Sequence, residues 1–228
     1  MTRRLFAPIF LILFALAPAR ADDGQFEIMA DDGAVVANHQ VTAELESQIE
    51  KLPGVIVAAN PKGKVTIAEF YDLNCPYCRK ASADLDVLVQ ANSELRLVLV
   101  PFPVLGIASI QGSRVELAVA KLVPGPKFYA FHRKLYAGRG MIDGNRALAT
   151  AKEMGLDMTK VLALADQDAI TQTMIAHVKL GDDLAIQATP GLVIKGVAIV
   201  GYPGKAAIQK IVASVQRCGA VVCEGAVR

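Results

Sequence analysis

The 228-residue sequence has no block of basic residues and no acidic tail, and its 24 Lys+Arg nearly balance 22 Asp+Glu. A chain so balanced carries no charge run that would mark a nucleic-acid partner, and none is expected. It has no internal repeat and no low-complexity segment, which sets aside repeat arrays and long linkers. Past its first residues it has no apolar run near the ~20 residues that a bilayer span requires. Cysteine is scarce, with four in all, and histidine scarcer, with three. Whatever chemistry the chain performs rests on few reactive side chains.

The one long apolar run stands at the start, in "MTRRLFAPIFLILFALAPARADDG". Arg3 and Arg4 give a basic head, Leu5 to Ala17 an apolar middle, and Ala19-Arg20-Ala21 a small-x-small cleavage site. Residues 1–21 therefore read as a secretory signal peptide. The other reading, a membrane anchor, needs a longer run. An exported, periplasmic protein beginning near Asp22 is expected. Its 207 residues would carry 21 basic and 22 acidic side chains, enough chain for one sizeable core and an inserted subdomain. Export also sets the redox compartment: disulfides persist outside the cytosol, which favours disulfide chemistry over metal ligation for the cysteines.

Hydrophobic periodicity gives the organisation. In "VTAELESQIEKL", Val41, Leu45, Ile49 and Leu52 recur at helical spacing, and Pro53-Gly54 ends the run. "VIVAAN" and "VTIAEFYD" read as strands separated by the turn "NPKGK". Pro76 opens a helix with Ala81, Leu85, Leu88 and Val89 on one face. "LRLVLVPFPV" is nearly all apolar, as a strand buried on both faces is. This β-α-β order implies a parallel pair with a right-handed crossover. From about 107 to 187 helical patterns follow one another, the last, "MTKVLALADQDAITQTMIAHVKLGDDLAIQ", as one run over 158–187. "TPGLVIKGVAIVGY" then reads as a hairpin turning at Lys195-Gly196, and "GKAAIQKIVASVQ" as a last amphipathic helix.

The stretch that carries chemistry is "VTIAEFYDLNCPYCRKASADLDVL". Cys75 and Cys78 stand two residues apart where a strand ends and a helix begins. Pro76 falls at the first helical position, where a missing N–H costs nothing. Free amides and the dipole at that end favour a thiolate on Cys75 and lower its pKa below the usual ~8.5. Cys78, one turn on, is expected to be less exposed. A two-residue spacing lets the pair close into a disulfide and reopen, with Cys75 forming the mixed disulfide and Cys78 resolving it.

Glu69, "CPYC" at 75–78 and Thr189-Pro190, in the order β-α-β, helical block, β-β-α, resemble the DsbA family of exported thiol–disulfide oxidoreductases. "NPKGKVTIAEFYDLNCPYC" and "TPGLVI" look especially like the branch that contains the copper-sensitivity suppressor ScsC. The resemblance spans roughly residues 55–217. It implies an α/β thioredoxin fold with an inserted helical domain. Its parts would be an N-terminal helical extension at 22–53, a first half at 54–106, the insertion at 107–187, a second half at 188–217, and a tail at 218–228. It also implies that Thr189–Pro190 is cis and faces the cysteines, so that the Thr189 backbone can pair with an extended substrate. Pro76, Tyr77, Thr189 and Pro190 would then form the substrate side. Glu69 would be the semi-buried acid that relays a proton for Cys78; otherwise it is an exposed acid on a strand edge. Tyr77 stands where the best-known members have histidine, which leaves the redox potential open. Phe70 and Tyr71 are expected in the core and the groove wall.

Cys218 and Cys223 form a second pair, in "RCGAVVCEGAVR". Four cysteines allow three pairings, and the local one joins 218 to 223 across a loop that Gly219 can bend. A structural staple is the expected role; a second redox relay is the alternative. A four-thiolate zinc site also satisfies the ligand count and spacing, though no metal is expected. His132, among aromatics at helical spacing, reads as a packing or surface residue, and His39 and His177 lack partners in sequence. No bound cofactor is required, since the cysteines carry the electrons. Thiol-containing exported proteins are the expected substrates, and a membrane redox partner must reset the pair. Residues 26–52 could join chains into a homo-oligomer. The leading reading is a dithiol oxidase, with a disulfide isomerase or reductase second and a zinc- or copper-binding chaperone outside enzymology.

Overall fold

A computed structural model describes residues 25–223. The signal peptide expected at 1–21 and the last five residues of the tail lie outside the described residues. Among the described residues no helix is long and apolar enough to cross a membrane.

Six strands form one sheet: β1 (Asn38–Gln40), β2 (Ile56–Ala59), β3 (Val65–Tyr71), β4 (Leu95–Pro101), β5 (Gly191–Ile194) and β6 (Val197–Val200), in the order β1-β6-β5-β3-β4-β2. β3 and β4 are parallel, joined by helix α2 (Pro76–Ala91), and every other pairing is antiparallel. The β5–β6 turn has Lys195 at φ 48° and Gly196 at φ 73°. Two left-handed residues in a two-residue loop match the right-handed twist of the strands they join.

The central strands are apolar throughout because both faces of the sheet are covered. Ile67, Tyr71, Leu97, Leu99 and Leu192 point to one side and join the core beneath α2 and α8 (Lys205–Cys218). Ala68, Phe70, Val98, Val100 and Val193 point to the other, against Phe102, Leu180 and Leu184. Between β4 and β5 runs the helical insertion: α3 (Ile107–Leu122), α4 (Gly125–Ala137), α5 (Gly144–Glu153), α6 (Met158–Ala165) and α7 (Asp168–Asp183). The chain thus has the thioredoxin fold with an inserted helical domain that the resemblance implied.

Three local differences from the sequence reading have physical reasons. The segment 158–187 is two helices, because Asp166 ends α6 and the chain turns through an extended Gln167 before α7 starts. The N-terminal extension is only partly helical: α1 spans Ala43–Ile49, capped by Thr42, and β1 precedes it as an added edge strand on β6. Its apolar stripe is also consumed within the chain. Val41 and Ile49 are buried in the second core, with Leu45 and Leu52 packed on it, so that stripe does not offer a face for joining chains through 26–52.

His39 and His177 find partners across the fold. His39 Nε2 meets Leu184 O at 2.9 Å. His177 lies between Pro101 O (2.9 Å) and Pro53 O (2.7 Å), tying α7 to the end of β4 and to the chain entering β2.

Candidate active site

β3 delivers the site. It ends at Tyr71, the chain turns through Asp72, Leu73 and Asn74, and Cys75 is the N-cap of α2 with Pro76 as its first residue. Cys75 is extended (φ −76°, ψ 123°), and its side chain makes no capping bond to the helix. Both active-site thiols are free and buried; Cys75 keeps 5% exposure and Cys78 none. Tyr77 between them is 63% exposed.

Thr189–Pro190 is a cis peptide bond, and the Cys75 thiol lies 3.1 Å from Thr189 O. The sequence-distant Thr-Pro therefore meets Cys75 directly, on the chain leading into β5. Pro190 O in turn accepts from Gly201 N–H at 3.0 Å, so the loop after β6 braces it.

The electrostatics separate the two thiols. Cys75 is lowered to about 5, chiefly because the Cys78 thiol donates to its sulfur. Burial opposes this, and a hydrogen bond from Thr189 and the N–H groups of Cys78 and Tyr77 add to it. These are the free donors of a helix N-terminus. Cys78 is pushed strongly upward, first by burial, then by that same bond to Cys75 and by Glu69. One proton is thus held on Cys78 while Cys75 carries the charge.

Glu69 lies on β3 with 1% exposure, and among the described residues neither carboxyl oxygen has a hydrogen-bond partner. It is not the exposed acid of the alternative reading. Burial, with smaller contributions from the Cys75 and Glu116 charges, raises it to about 8. A carboxyl buried without partners is held protonated at neutral pH.

Tyr71 is fully buried and is not a groove wall. It shares a strand face with Ile67, and its hydroxyl donates to Glu116 of α3 at 2.8 Å. Burial raises it well above the ordinary tyrosine value, and the Glu116 charge adds to this. Phe70 is in the core, edge-on to Phe102. His132 is buried, with Nδ1 2.9 Å from Glu116 Oε1 and its ring edge-on to Tyr71 and Tyr136. Of the two readings, packing or surface, the structure gives packing; nothing in sequence paired His132 with Glu116 on another helix.

Cys218 and Cys223 are joined to each other. Gln216 reaches Asn92 at the far end of α2, 3.5 Å away. With 16 residues in α2 at about 1.5 Å each, that end lies roughly 24 Å from Cys75. The four cysteines do not gather into one set of ligands.

A family model described as thioredoxin matches residues 50–214. No curated protein matches the sequence. Among solved structures the chain is similar to a thioredoxin-like oxidoreductase from Silicibacter pomeroyi DSS-3, with 29% identity and a TM-score of 0.70, covering 78% of this chain and 99% of that one. It is also similar to the thiol-disulfide exchange protein alpha-DsbA2 from Wolbachia pipientis (24%, 0.67, covering 76% and 92%). A third is the catalytic domain of Proteus mirabilis ScsC (24%, 0.67, covering 77% and 98%). The chain belongs to the thioredoxin family, with the architecture of its DsbA-like thiol–disulfide oxidoreductases.

Proposed function

We propose that the protein is an exported, periplasmic thiol–disulfide oxidoreductase that oxidises the thiols of other exported proteins through Cys75 and Cys78. The observation that carries this reading is the split between the two sulfurs, one favoured as a thiolate at the mouth of the site and one held as a thiol beneath it.

In the oxidising direction a substrate thiolate attacks Cys75 of the closed disulfide. The new bond joins substrate sulfur to Cys75, and the Cys75–Cys78 bond breaks with its electron pair on Cys78. Cys78 then takes a proton, and the reading assigns its supply to Glu69, which is held protonated and acts on Cys78 electrostatically without a direct hydrogen bond to it. A second substrate thiolate attacks the first substrate sulfur, closes the substrate disulfide and expels Cys75 as a thiolate. A low-pKa Cys75 leaves readily, so the chemistry runs toward substrate oxidation. The membrane redox partner then withdraws two electrons to close the pair again. Pro76, Tyr77, Thr189 and Pro190 line the approach; Tyr77 is exposed and Thr189 O touches the reacting sulfur.

A disulfide isomerase is the second reading, favoured by Thr189 before the proline. It gains from holding a misfolded substrate on several surfaces, which rewards oligomers, and here the N-terminal apolar stripe packs inward. A metal chaperone drawing on all four thiolates is disfavoured by the Cys218–Cys223 bond. The test presents the reduced and the scrambled forms of one multi-disulfide protein. The oxidised protein is expected to oxidise the reduced form efficiently. Poor oxidation, with efficient rescue of the scrambled form by the reduced protein, would reverse the order.

A further inference from the structure

Past β6 the chain turns into α8 through Gly201, Tyr202, Pro203 and Gly204. The two glycines have φ 91° and 102°, a region that glycine enters freely and at the greatest loss of chain entropy. Gly204 is the N-cap of α8 and supplies no capping side chain. Little within this turn fixes its position, yet it adjoins the site. Gly201 N–H donates to Pro190 O (3.0 Å), and Thr189 O, one residue earlier, lies 3.1 Å from the Cys75 thiol.

The missing cap comes from the N-terminal extension. Asp31 Oδ1 accepts from Ala207 N–H (2.8 Å) and Oδ2 from Ala206 N–H (3.1 Å), while its own N–H donates to Pro203 O (2.9 Å). A carboxylate on the free amides of a helix start is held by hydrogen bonds and by the dipole together. The fit is close: a Cβ at Gly204 would stand 2.3 Å from Asp31 Cγ, so glycine is what admits the carboxylate. The segment that carries Asp31 is itself fixed. Met29 and Val35 form a bridge, Ile28 and Val36 are buried in the main core, and Ala37 O accepts from Val200 N–H at the end of β6 (2.8 Å).

The other side of the turn is tied to α2. The Tyr202 hydroxyl donates to Asp84 Oδ2 (2.6 Å), and Lys80 Nζ lies over the Tyr202 ring, 5.6 Å from its centroid. The turn thus links the helix that Cys75 begins to the proline segment that touches Cys75. Asp31 anchors it from outside the span 50–214 that the thioredoxin model matches.

We propose that Asp31 is a positioning residue for exchange: by capping α8 it holds the turn at 201–204, and through it Pro190, in the arrangement that lets the Thr189 backbone pair with a substrate strand. This rests on the exchange reading above and adds a residue of the N-terminal extension to it. A small thiol, which offers no backbone to pair, does not depend on that arrangement.

The test gives the full-length protein two electron donors. One is a reduced synthetic peptide with two cysteines, in turnover with oxidised glutathione as terminal oxidant; the other is dithiothreitol, in a single turnover with the oxidised protein. D31A is expected to raise KM for the peptide by about tenfold with kcat kept, the factor lost when only about a tenth of the molecules hold the binding-ready turn. The dithiothreitol rate and the equilibrium against glutathione are expected to stay unmoved. D31N keeps a side-chain oxygen and a residue type that caps as well as aspartate, and it is expected to recover most of the loss. Y202F, which cuts the tie to Asp84 and leaves the cap, is expected to raise the peptide KM by less. A D31A protein with a lower melting temperature and an unchanged peptide KM would overturn the proposal, because the cap would then serve the fold alone. So would peptide and dithiothreitol rates that fall together, because the cysteine pair itself would have been disturbed. Should D31A fail to fold, Y202F decides, and an unchanged peptide KM there overturns the proposal. If the unaltered protein oxidises neither the peptide nor dithiothreitol, the exchange reading falls and takes this one with it.

Discussion

Two cysteine pairs occupy opposite ends of two helices, and their surroundings differ accordingly. Cys75 begins α2, where its sulfur meets N–H groups and a thiol donor. Cys218 ends α8, where its sulfur lies 3.2 Å from Ser214 O and 3.7 Å from Ala220 O, and Cys223 lies 3.5 Å from Ser214 O. The positive end of a helix welcomes a thiolate and the negative end opposes one. A disulfide whose leaving sulfur is a stabilised thiolate opens readily, and at Cys75 the N–H and thiol donors outweigh the carbonyl beside it, Thr189 O at 3.1 Å. On the proposed function the same two-sulfur chemistry is a reactive centre in one place and a staple in the other. The second pair pins Val221, which is buried in the main core, at the end of the last helix.

The comparison breaks most sharply by substitution. Cys75→Ser is expected to abolish exchange, and Cys78→Ser to trap a mixed disulfide on Cys75, visible as a covalent adduct by mass spectrometry. A Cys75→Ser protein that kept its activity would mean that the nucleophile is misassigned.

The next effect is in the pH dependence of stability, and its sign follows from the shift. Cys75 ionises at about 5 in the folded reduced protein against 9.0 for an ordinary thiol. Below pH 5 the thiol is protonated in both folded and unfolded states and contributes nothing. Between pH 5 and 9 the unfolded state binds the extra proton, so stability rises with pH, and it is lost again as pH falls through 5. The oxidised form has no thiol to ionise. The reduced form is expected to gain on the oxidised form across this window by an amount on the order of 5 kcal/mol at most. Glu69 runs the other way: raised to about 8, it favours the fold below its ordinary 4.5 and loses that contribution as pH rises through 8. It does so in both redox forms, and because the Cys75 charge is one of its causes it trims the gain. Urea melts of both forms from pH 5 to 9 measure the difference; parallel curves would contradict it.

A smaller effect is expected from Glu69→Gln, which keeps the shape and removes the proton. Exchange with a protein substrate should slow by about a hundredfold, the low end for a general acid–base group, with the rate losing its dependence on pH near 8. Stopped-flow measurement of mixed-disulfide formation and decay separates this from a binding effect.

The smallest effect is at the far pair. Replacing Cys218 and Cys223 by Ser should lower stability by about 2 kcal/mol, the closure entropy of so short a loop, and leave exchange within about twofold. Most activity lost at unchanged stability would make the pair a relay.

The reactive pair was legible in the sequence because its chemistry needs fixed local spacing: two cysteines, a proline and a strand-to-helix boundary. The central strands and the Lys195-Gly196 turn were legible for the same reason, being written in neighbouring residues. What depends on a distant partner was not. β1 is three residues long and is a strand only because β6 lies beside it. Tyr71 read as a wall because nothing nearby announces Glu116. Asp72 and Asn74 lie in the stretch around the cysteines, where neighbouring residues give no sign of a distant partner. Their five long-range partners, Val104, Leu105 and Ile142 in two loops and Ser109 and Tyr136 on helices, are a property of the folded chain alone.

The central claim is that Cys75 is a stabilised thiolate whose disulfide is correspondingly oxidising, and a redox titration of the Cys75–Cys78 pair against glutathione tests it most directly. A stabilised Cys75 thiolate gives an expected potential well above the roughly −270 mV of thioredoxin, toward the oxidising end near −120 mV. A potential at or below that of thioredoxin would contradict it.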